Sequence, residues 1–86
     1  MPYTVVIGRS AEREIKTLPA DMARRVGERL RALAEDQHPP QSKRLSNSPN
    51  FRLRVRDYRV IYSVDDQEQR VTILAVGHRR EVYRAR

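Results

Sequence analysis

Residues 51–64 read FRLRVRDYRVIYSV, and the alternation in this stretch decides the fold. Phe51, Leu53 and Val55 alternate with Arg52, Arg54 and Arg56, the two-residue period of a strand with one apolar and one cationic face. Tyr58, Val60, Tyr62 and Val64 then alternate with Arg59, Ile61 and Ser63 in a second strand. With Arg56-Asp57 as the turn of a two-residue hairpin, Val55 faces Tyr58 and Leu53 faces Val60. The same register sets Arg54 directly opposite Arg59. Like charges facing each other across strands destabilise a sheet, so the pair makes most physical sense with an anion, such as a phosphate, between the two guanidinium groups.

Toward the C-terminus, Asp65 to Gln69 makes an acidic turn and Val71 to Val76 (VTILAV) reads as the last strand. With Val64 facing Val71, Tyr62 faces Ile73 and Val60 faces Ala75, which keeps one apolar face buried throughout. The other face then holds Arg52, Arg54 and Arg59 over an apolar floor of Ile61, Leu74 and Val76. Gly77 permits a bend or bulge, which leaves the face occupied by His78, Arg79 and Tyr83 open.

Toward the N-terminus, Tyr3 to Ile7 (YTVVI) reads as a short buried strand ended by Gly8. Ser10 reads as a helix N-cap, with Glu12 and Glu14 in the first turn and Ala11, Ile15 and Leu18 at helical spacing. Pro19 ends or kinks that helix. A second helix is expected from Ala20 to Glu35, with Met22, Val26, Leu30 and Leu33 on one stripe. Gly27 lies inside it at a cost of about 1 kcal/mol against alanine and is read as a point of close packing on the first helix. His38-Pro39-Pro40 breaks the pattern, and Gln41 to Asn50 is expected to be a loop that carries the basic pair Lys43-Arg44 and is anchored to the core by Leu45. The expected architecture is a single α+β domain over residues 1–86, in the order β-α-α-β-β-β, with a small antiparallel sheet backed by an N-terminal helical hairpin.

Composition narrows the function. A chain of 86 residues holds one small core. It has no cysteine, which removes disulfide frameworks and thiolate metal sites and suits a reducing cytoplasmic setting. Its two histidines are distant in sequence, and no metal site is expected. No leader is expected at MPYTVVI, and no stretch approaches the roughly 20 apolar residues of a membrane helix, so no membrane partner is expected. The net charge is +7. Residues 43–59 contribute +5 of it, residues 77–86 contribute +3, and the remainder of the chain sums to −1. Charge gathered in two segments of a nearly neutral scaffold points to a polyanion such as nucleic acid, the plain alternative being a solvated basic surface. Sixteen of the eighteen cations are arginine, which fits forked recognition of phosphate or carboxylate but is also a product of genomic composition.

The run KRL (Lys43 to Leu45), the stretch FRLRVRDYRVIYSVDD (Phe51 to Asp66) and the closing VTILAVGHRREVYR (Val71 to Arg84) resemble the RelE-like toxins of the RelE/ParE superfamily, bacterial toxin-antitoxin proteins of the same β-α-α-β-β-β order. The likeness covers nearly the whole chain and is strongest in its last 36 residues. RelE-type members cleave messenger RNA in the decoding site of a translating ribosome, whereas ParE-type members share the fold and poison DNA gyrase. The resemblance implies a growth-arresting toxin that inhibits translation as a ribosome-dependent mRNA endoribonuclease, with no metal or other cofactor. The alternatives are a ParE-like gyrase inhibitor without nuclease activity, and an RNA-binding module or toxin that has lost activity. The implied partners are a cognate antitoxin that wraps the toxin, the ribosome and mRNA, with operator DNA touched only through the antitoxin complex.

In the RNA reaction a 2′-hydroxyl loses a proton and attacks the adjacent phosphate, the developing charge is stabilised, and the leaving 5′-oxygen gains a proton. The family meets these needs with basic residues on the sheet face, an arginine after the glycine of the last strand and a tyrosine near the C-terminus. Carried onto this sequence, the resemblance implies catalytic roles for Arg52, Arg54, Arg59, Arg79 and Tyr83, with His78 as a further candidate, and RNA contacts at Lys43, Arg44, Arg56 and Arg80. The best-known RelE pattern has lysines where Arg52 and Arg54 stand. A lysine can be desolvated into a base but arginine stays charged, so here the arginines clamp and stabilise. Proton transfer then falls to the phenol of Tyr83 or to the imidazole of His78, imidazole being the side-chain type that titrates nearest neutrality. Tyr83 has the alternatives of stacking on a base or capping the core, and Arg80 competes with Arg79 for the inward position. Arg56 stands where relatives often carry glycine at the hairpin turn, and a C-terminal helix is expected to be short or absent.

Overall fold

A computed structural model describes residues 2–78 of the chain. Its elements are β1 (Thr4–Ile7), α1 (Arg9–Ile15), α2 (Ala20–Ala32), β2 (Ser42–Arg44), β3 (Phe51–Val55), β4 (Tyr58–Asp65) and β5 (Arg70–His78). The described strands form a five-stranded sheet of order β1-β5-β4-β3-β2. The α+β class and the pair of N-terminal helices are as expected, but the sheet is mixed. β1 runs parallel to β5, with Thr4 opposite Arg70 and Ile7 opposite Ile73, and the two helices supply the crossover that a parallel pair needs. The expected loop also contains a strand, because Ser42, Lys43 and Arg44 pair antiparallel with Leu53, Arg52 and Phe51.

The β3–β4 hairpin has the register that its alternation dictates: Val55 faces Tyr58, Leu53 faces Val60 and Arg54 faces Arg59. Arg56 makes the turn with φ 58°, in the left-handed region that a side chain disfavours. Between β4 and β5 the register starts as expected, with Val64 opposite Val71 and Tyr62 opposite Ile73. It then shifts, so that Ile61 faces Ala75 and Val60 faces Val76 rather than Ala75. Leu74 is the extra residue of a β-bulge, and the bulge brings the larger Val76 onto the core face, where it is 1% exposed.

Ala11, Val26, Leu30 and Leu33 from the helices meet Leu53, Val60, Tyr62, Val71, Ile73 and Val76 from the sheet in one core. β1 is less buried than its β-branched run suggests. It is an edge strand with β5 as its neighbour, and although Val5 packs on the core, Val6 and Ile7 are 41% and 43% exposed. Tyr62 is fully buried, lies against Phe51 with ring centroids 5.6 Å apart, and donates its hydroxyl proton to the Gln37 carbonyl at 2.8 Å. Tyr3 packs at the margin of the core and donates to Asp66 Oδ1 at 2.7 Å.

The strand-to-helix junction departs from the sequence reading. α1 begins at Arg9 with Gly8, not Ser10, as its N-cap, and no side chain caps it. Gly8 N–H donates to the Ile73 carbonyl at 2.8 Å, and the Gly8 carbonyl accepts the Glu12 N–H at 2.8 Å, so β1 turns into α1 through Gly8 alone. A Cβ on Gly8 would lie 2.8 Å from the Ile73 oxygen. At the far side of α1, Glu14 Oε1 accepts the Val76 N–H at 2.7 Å. β1 stops opposite Ile73, and this carboxylate takes the place of a strand partner for β5 beyond that point.

Pro19 caps α2, which ends at Ala32 rather than Glu35. Leu33, Ala34 and Glu35 bond back to Leu30, Arg31 and Ala32, the i→i−3 pattern of a tightened last turn. Gly27 does not mediate helix packing, since a Cβ there would meet only Arg31 Nη1 at 3.5 Å. Leu45 is half-buried and lies outside the core cluster, so it does not anchor its loop. No described helix is long and apolar enough to cross a membrane.

Two predictions come from this packing. Gly27→Ala is expected to raise the free energy of unfolding by about 0.5–1 kcal/mol, through lower chain entropy and better helix propensity. Gly8→Ala is expected to lower it by about 1–3 kcal/mol, because a backbone oxygen must move. Urea midpoints of the two variants shifting in the same direction would contradict this account. Burial raises the Tyr62 phenol above its ordinary 10.0, with nearby Asp36 adding to the shift and the Ser42 hydroxyl opposing it. A raised acid contributes stability that is complete below its unfolded-state value and is lost as pH climbs through the folded one. Spectrophotometric titration should therefore show a tyrosine whose ionisation above pH 10 coincides with unfolding, and Tyr62→Phe should abolish that coincident step, leaving Tyr3, raised by its hydrogen bond to Asp66, to ionise without it.

Candidate nucleic-acid interface

The face of the sheet turned away from the helices carries two rows of paired positions. In one, Lys43, Arg52, Ile61 and Ala75 lie opposite one another across β2, β3, β4 and β5. In the other, Arg54, Arg59 and Gly77 do so across β3, β4 and β5. Directly opposed side chains start about 5 Å apart at Cβ, and the rows are separated by two residues of β3, or about 6.8 Å. Lys43 and Arg54 are exposed and Arg52 is half-buried. Arg59, at 8% exposed, is the buried charged side chain among the described residues. Gly77 stands beside it without a side chain, which leaves room for a guanidinium. Ile61 is fully buried although it lies outside the core cluster, and with Ala75 it floors this face. The bulge has removed Val76 from the expected floor.

Among the described residues the recorded ion pair is Arg70–Glu68 at 3.6 Å, remote from these rows, so no described carboxylate neutralises Lys43, Arg52 or Arg54. Two grooves border the cations. One of about 370 Å³ is lined by Gln41, Ser42, Lys43, Arg52 and Arg54 with Pro40. The other, of about 580 Å³, lies between Lys43, Arg52 and the 45–50 loop.

The remaining sequence candidates separate. Arg44 is opposite Phe51, on the other face from Lys43, and its Nε donates to the Ser48 carbonyl at 3.3 Å, where it braces the loop. Arg56 occupies the exposed hairpin turn rather than a strand face. His78 is opposite Tyr58, with ring centroids 5.9 Å apart in an edge contact. Tyr58 shares its face with Val60 and Tyr62, so His78 lies on the helix side of the sheet and does not join Arg52, Arg54 and Arg59. The bulge at Leu74 is the cause, since one extra residue reverses the facing of all that follows. Arg79, Arg80 and Tyr83 lie outside the described residues. β2 escaped the sequence reading because three polar residues on an edge show no alternation. The pairing of Gly77 with Arg59 needs the bulge, which falls at Leu74 rather than at Gly77, where the sequence allows one.

Chemically, the rows present permanently charged forks and one ammonium on a partly dry floor. They can grip phosphate oxygens and oppose negative charge developing on them, but the arginines cannot accept a proton. No group of three or more acidic or imidazole side chains stands together among the described residues to hold a metal ion. Because Lys43 and Arg52 are opposed like charges that no described carboxylate neutralises, Lys43→Gln is expected to stabilise the free protein by about 0.2–1 kcal/mol at low ionic strength. The gain should shrink as salt or phosphate is added. Thermal unfolding in dilute buffer and with added phosphate checks both parts, and a destabilised variant in dilute buffer would contradict the repulsion.

The family model for the ParE toxin of the type II toxin-antitoxin system parDE matches residues 5–83, and the chain belongs to the RelE/ParE superfamily of type II toxins. Toxin RelG of Mycobacterium tuberculosis is 33% identical to it over 88 residues, covering 98% of this chain and 99% of that protein. Among solved structures, the toxin-antitoxin complex RelBE2 of M. tuberculosis matches with 31% identity and a TM-score of 0.79, over 91% of this chain and 92% of the other. The archaeal RelE–RelB complex of Pyrococcus horikoshii matches with 29% identity and a TM-score of 0.82, over 92% and 97%.

Proposed function

We propose that this toxin is a ribosome-dependent mRNA endoribonuclease that works without a metal. The observation that carries the reading is the pairing of Arg54 with Arg59 beside that of Lys43 with Arg52, on a face where no described carboxylate neutralises Lys43, Arg52 or Arg54. Like charges opposed across strands, as Lys43 and Arg52 are, destabilise the sheet, and a bound phosphate relieves that repulsion. In the proposed reaction the 2′-oxygen loses its proton and bonds to phosphorus, the bond to the 5′-oxygen breaks, and that oxygen takes up a proton. Arg54 and Arg59 hold the phosphate and oppose the charge of the phosphorane, while Arg52 and Lys43 position the adjoining stretch of message. Arg79 is assigned to the same clamp and Tyr83 to proton transfer, with Arg80, Arg44 and Arg56 as contacts to RNA at the margin. His78, placed against Tyr58, is not given the proton. The likeness to RelG and to the RelBE2 toxin supports the nuclease reading. A cognate antitoxin that covers the cationic face and a cytoplasmic site of action belong to the same proposal, and residues 1–86 are taken as one domain. The second reading, a gyrase inhibitor, draws on the family model, which is that of the ParE toxin.

The deciding assay adds the purified protein to a reconstituted translation reaction and maps message 5′ ends with and without ribosomes. Cuts confined to the decoding site of ribosome-bound message are expected, and Arg54→Ala should reduce them about 100-fold or more. Intact message with normal translation would overturn the nuclease reading, and gyrase-dependent DNA breaks would then establish the second.

A further inference from the structure

We infer that the groove formed by Leu45, Asn47 and Asn50 beside Lys43 and Arg52 is a nucleobase subsite, which holds the base of a nucleotide next to the phosphate gripped by the cationic rows. The inference rests on the nuclease reading only in taking single-stranded RNA as the ligand. Lys43 and Arg52 line both grooves of the interface. A strand with one phosphate at Arg54 and Arg59 and the next at Lys43 and Arg52 is therefore delivered into the groove beside the 45–50 loop. At about 580 Å³ that groove is within the range of small-molecule sites and has room for a base.

Its lining is suited to a base rather than to a further phosphate. Leu45 is half-buried and excluded from the core cluster, so its apolar surface is available to a planar ring. The side-chain amides of Asn47 and Asn50 make no hydrogen bond to any described residue. Both amides are thus open to exchange water for a ligand. The backbone beneath them is already tied. Leu45 N–H donates to the Asn50 carbonyl at 3.0 Å, Asn50 N–H donates to Ser48 Oγ at 3.0 Å, and Arg44 Nε donates to the Ser48 carbonyl. Asn47 is held at φ 56°, a conformation that asparagine tolerates better than most residues. A loop tied by hydrogen bonds to its own main chain, with two amides lining a cation-bordered groove, is arranged to read the edge of an unstacked base. Asparagine pairs in bidentate fashion with the N6 and N7 of adenine, which sets the expected preference.

The test is fluorescence anisotropy of labelled single-stranded oligo(A) and oligo(U) RNA across a range of salt, with the intact protein, the double variant Asn47→Gly with Asn50→Ala, and Arg52→Gln. Glycine suits the φ at position 47, and Asn50 closes the loop through its backbone, so both changes leave the loop geometry in place. The intact protein should bind oligo(A) about tenfold more tightly than oligo(U), toward the low end of what a bidentate amide contributes. The double variant should bring the two affinities together with the salt slope unchanged, whereas Arg52→Gln should weaken both RNAs alike and reduce the slope by about one. Equal binding of the two RNAs by the intact protein, or a preference that the double variant retains, overturns the subsite. Mapped cleavage separates this from the nuclease reading. Ribosome-dependent cuts whose base context the double variant leaves unchanged would keep the nuclease and remove the subsite. Base discrimination that the double variant abolishes, in a protein that leaves translated message intact, would do the reverse.

Discussion

A slip of one residue between β3 and β4 would turn Leu53 and Val55 into water and drive Arg52 and Arg54 beneath the helices. Everything on both faces of the sheet depends on excluding that slip. The apolar side enforces the register by burying Leu53, Val60 and Tyr62, and the tight turn at Arg56 and Asp57 leaves no slack to absorb a shift. Opposed arginines at positions 54 and 59 are therefore not an independent choice of the functional face. They are held opposite each other by hydrophobic burial on its reverse, so the core sets the charge pattern of the outer surface.

A second constraint acts on β5, where the chain must serve three neighbours. Its first half pairs with both β1 and β4, while its second half has β4 on one side and α1 on the other. The bulge at Leu74 marks the change from one regime to the next, and the carboxylate of Glu14 satisfies the Val76 amide where the strand partner has ended. A charge-assisted bond of this kind is stronger than a neutral one. It fixes the parity of Val76, Gly77 and His78, which sends a glycine toward Arg59 and an imidazole toward Tyr58. The composition of the cationic surface is thus decided partly by a helix on the opposite side of the sheet.

The hairpin was legible because its period-two pattern is strict and its turn has a single sensible length; the opposed arginines followed from counting. The first pairs of the β4–β5 ladder were legible for the same reason. The bulge was not, since Val60 could face Ala75 or Val76 with little change in apparent hydrophobicity and only packed volume separates them. β2 was hidden because an edge strand made of Ser42, Lys43 and Arg44 is held by main-chain bonds and has no buried side to create a pattern. The N-cap was misplaced from Gly8 to Ser10 because a serine near a helix start normally caps it, whereas here the sheet itself takes up the glycine amide. The shared face of Arg52, Arg54 and Arg59 was accordingly legible, because the hairpin controls it, whereas the face of His78 was left open at Gly77 and is set by the bulge.

The parallel pairing of β1 with β5 has a consequence for how the protein comes into being on the ribosome that makes it. Thr4 must wait for Arg70, and α1 packs against the same late strand. Contacts so distant along the chain form slowly and only after their second member exists. During synthesis the β3–β4 hairpin can close on local contacts, yet Ala75 and Gly77, which complete the two cationic rows, arrive only with β5. The nascent chain therefore carries its arginines without the platform that aligns them until β5 has been made and can pair.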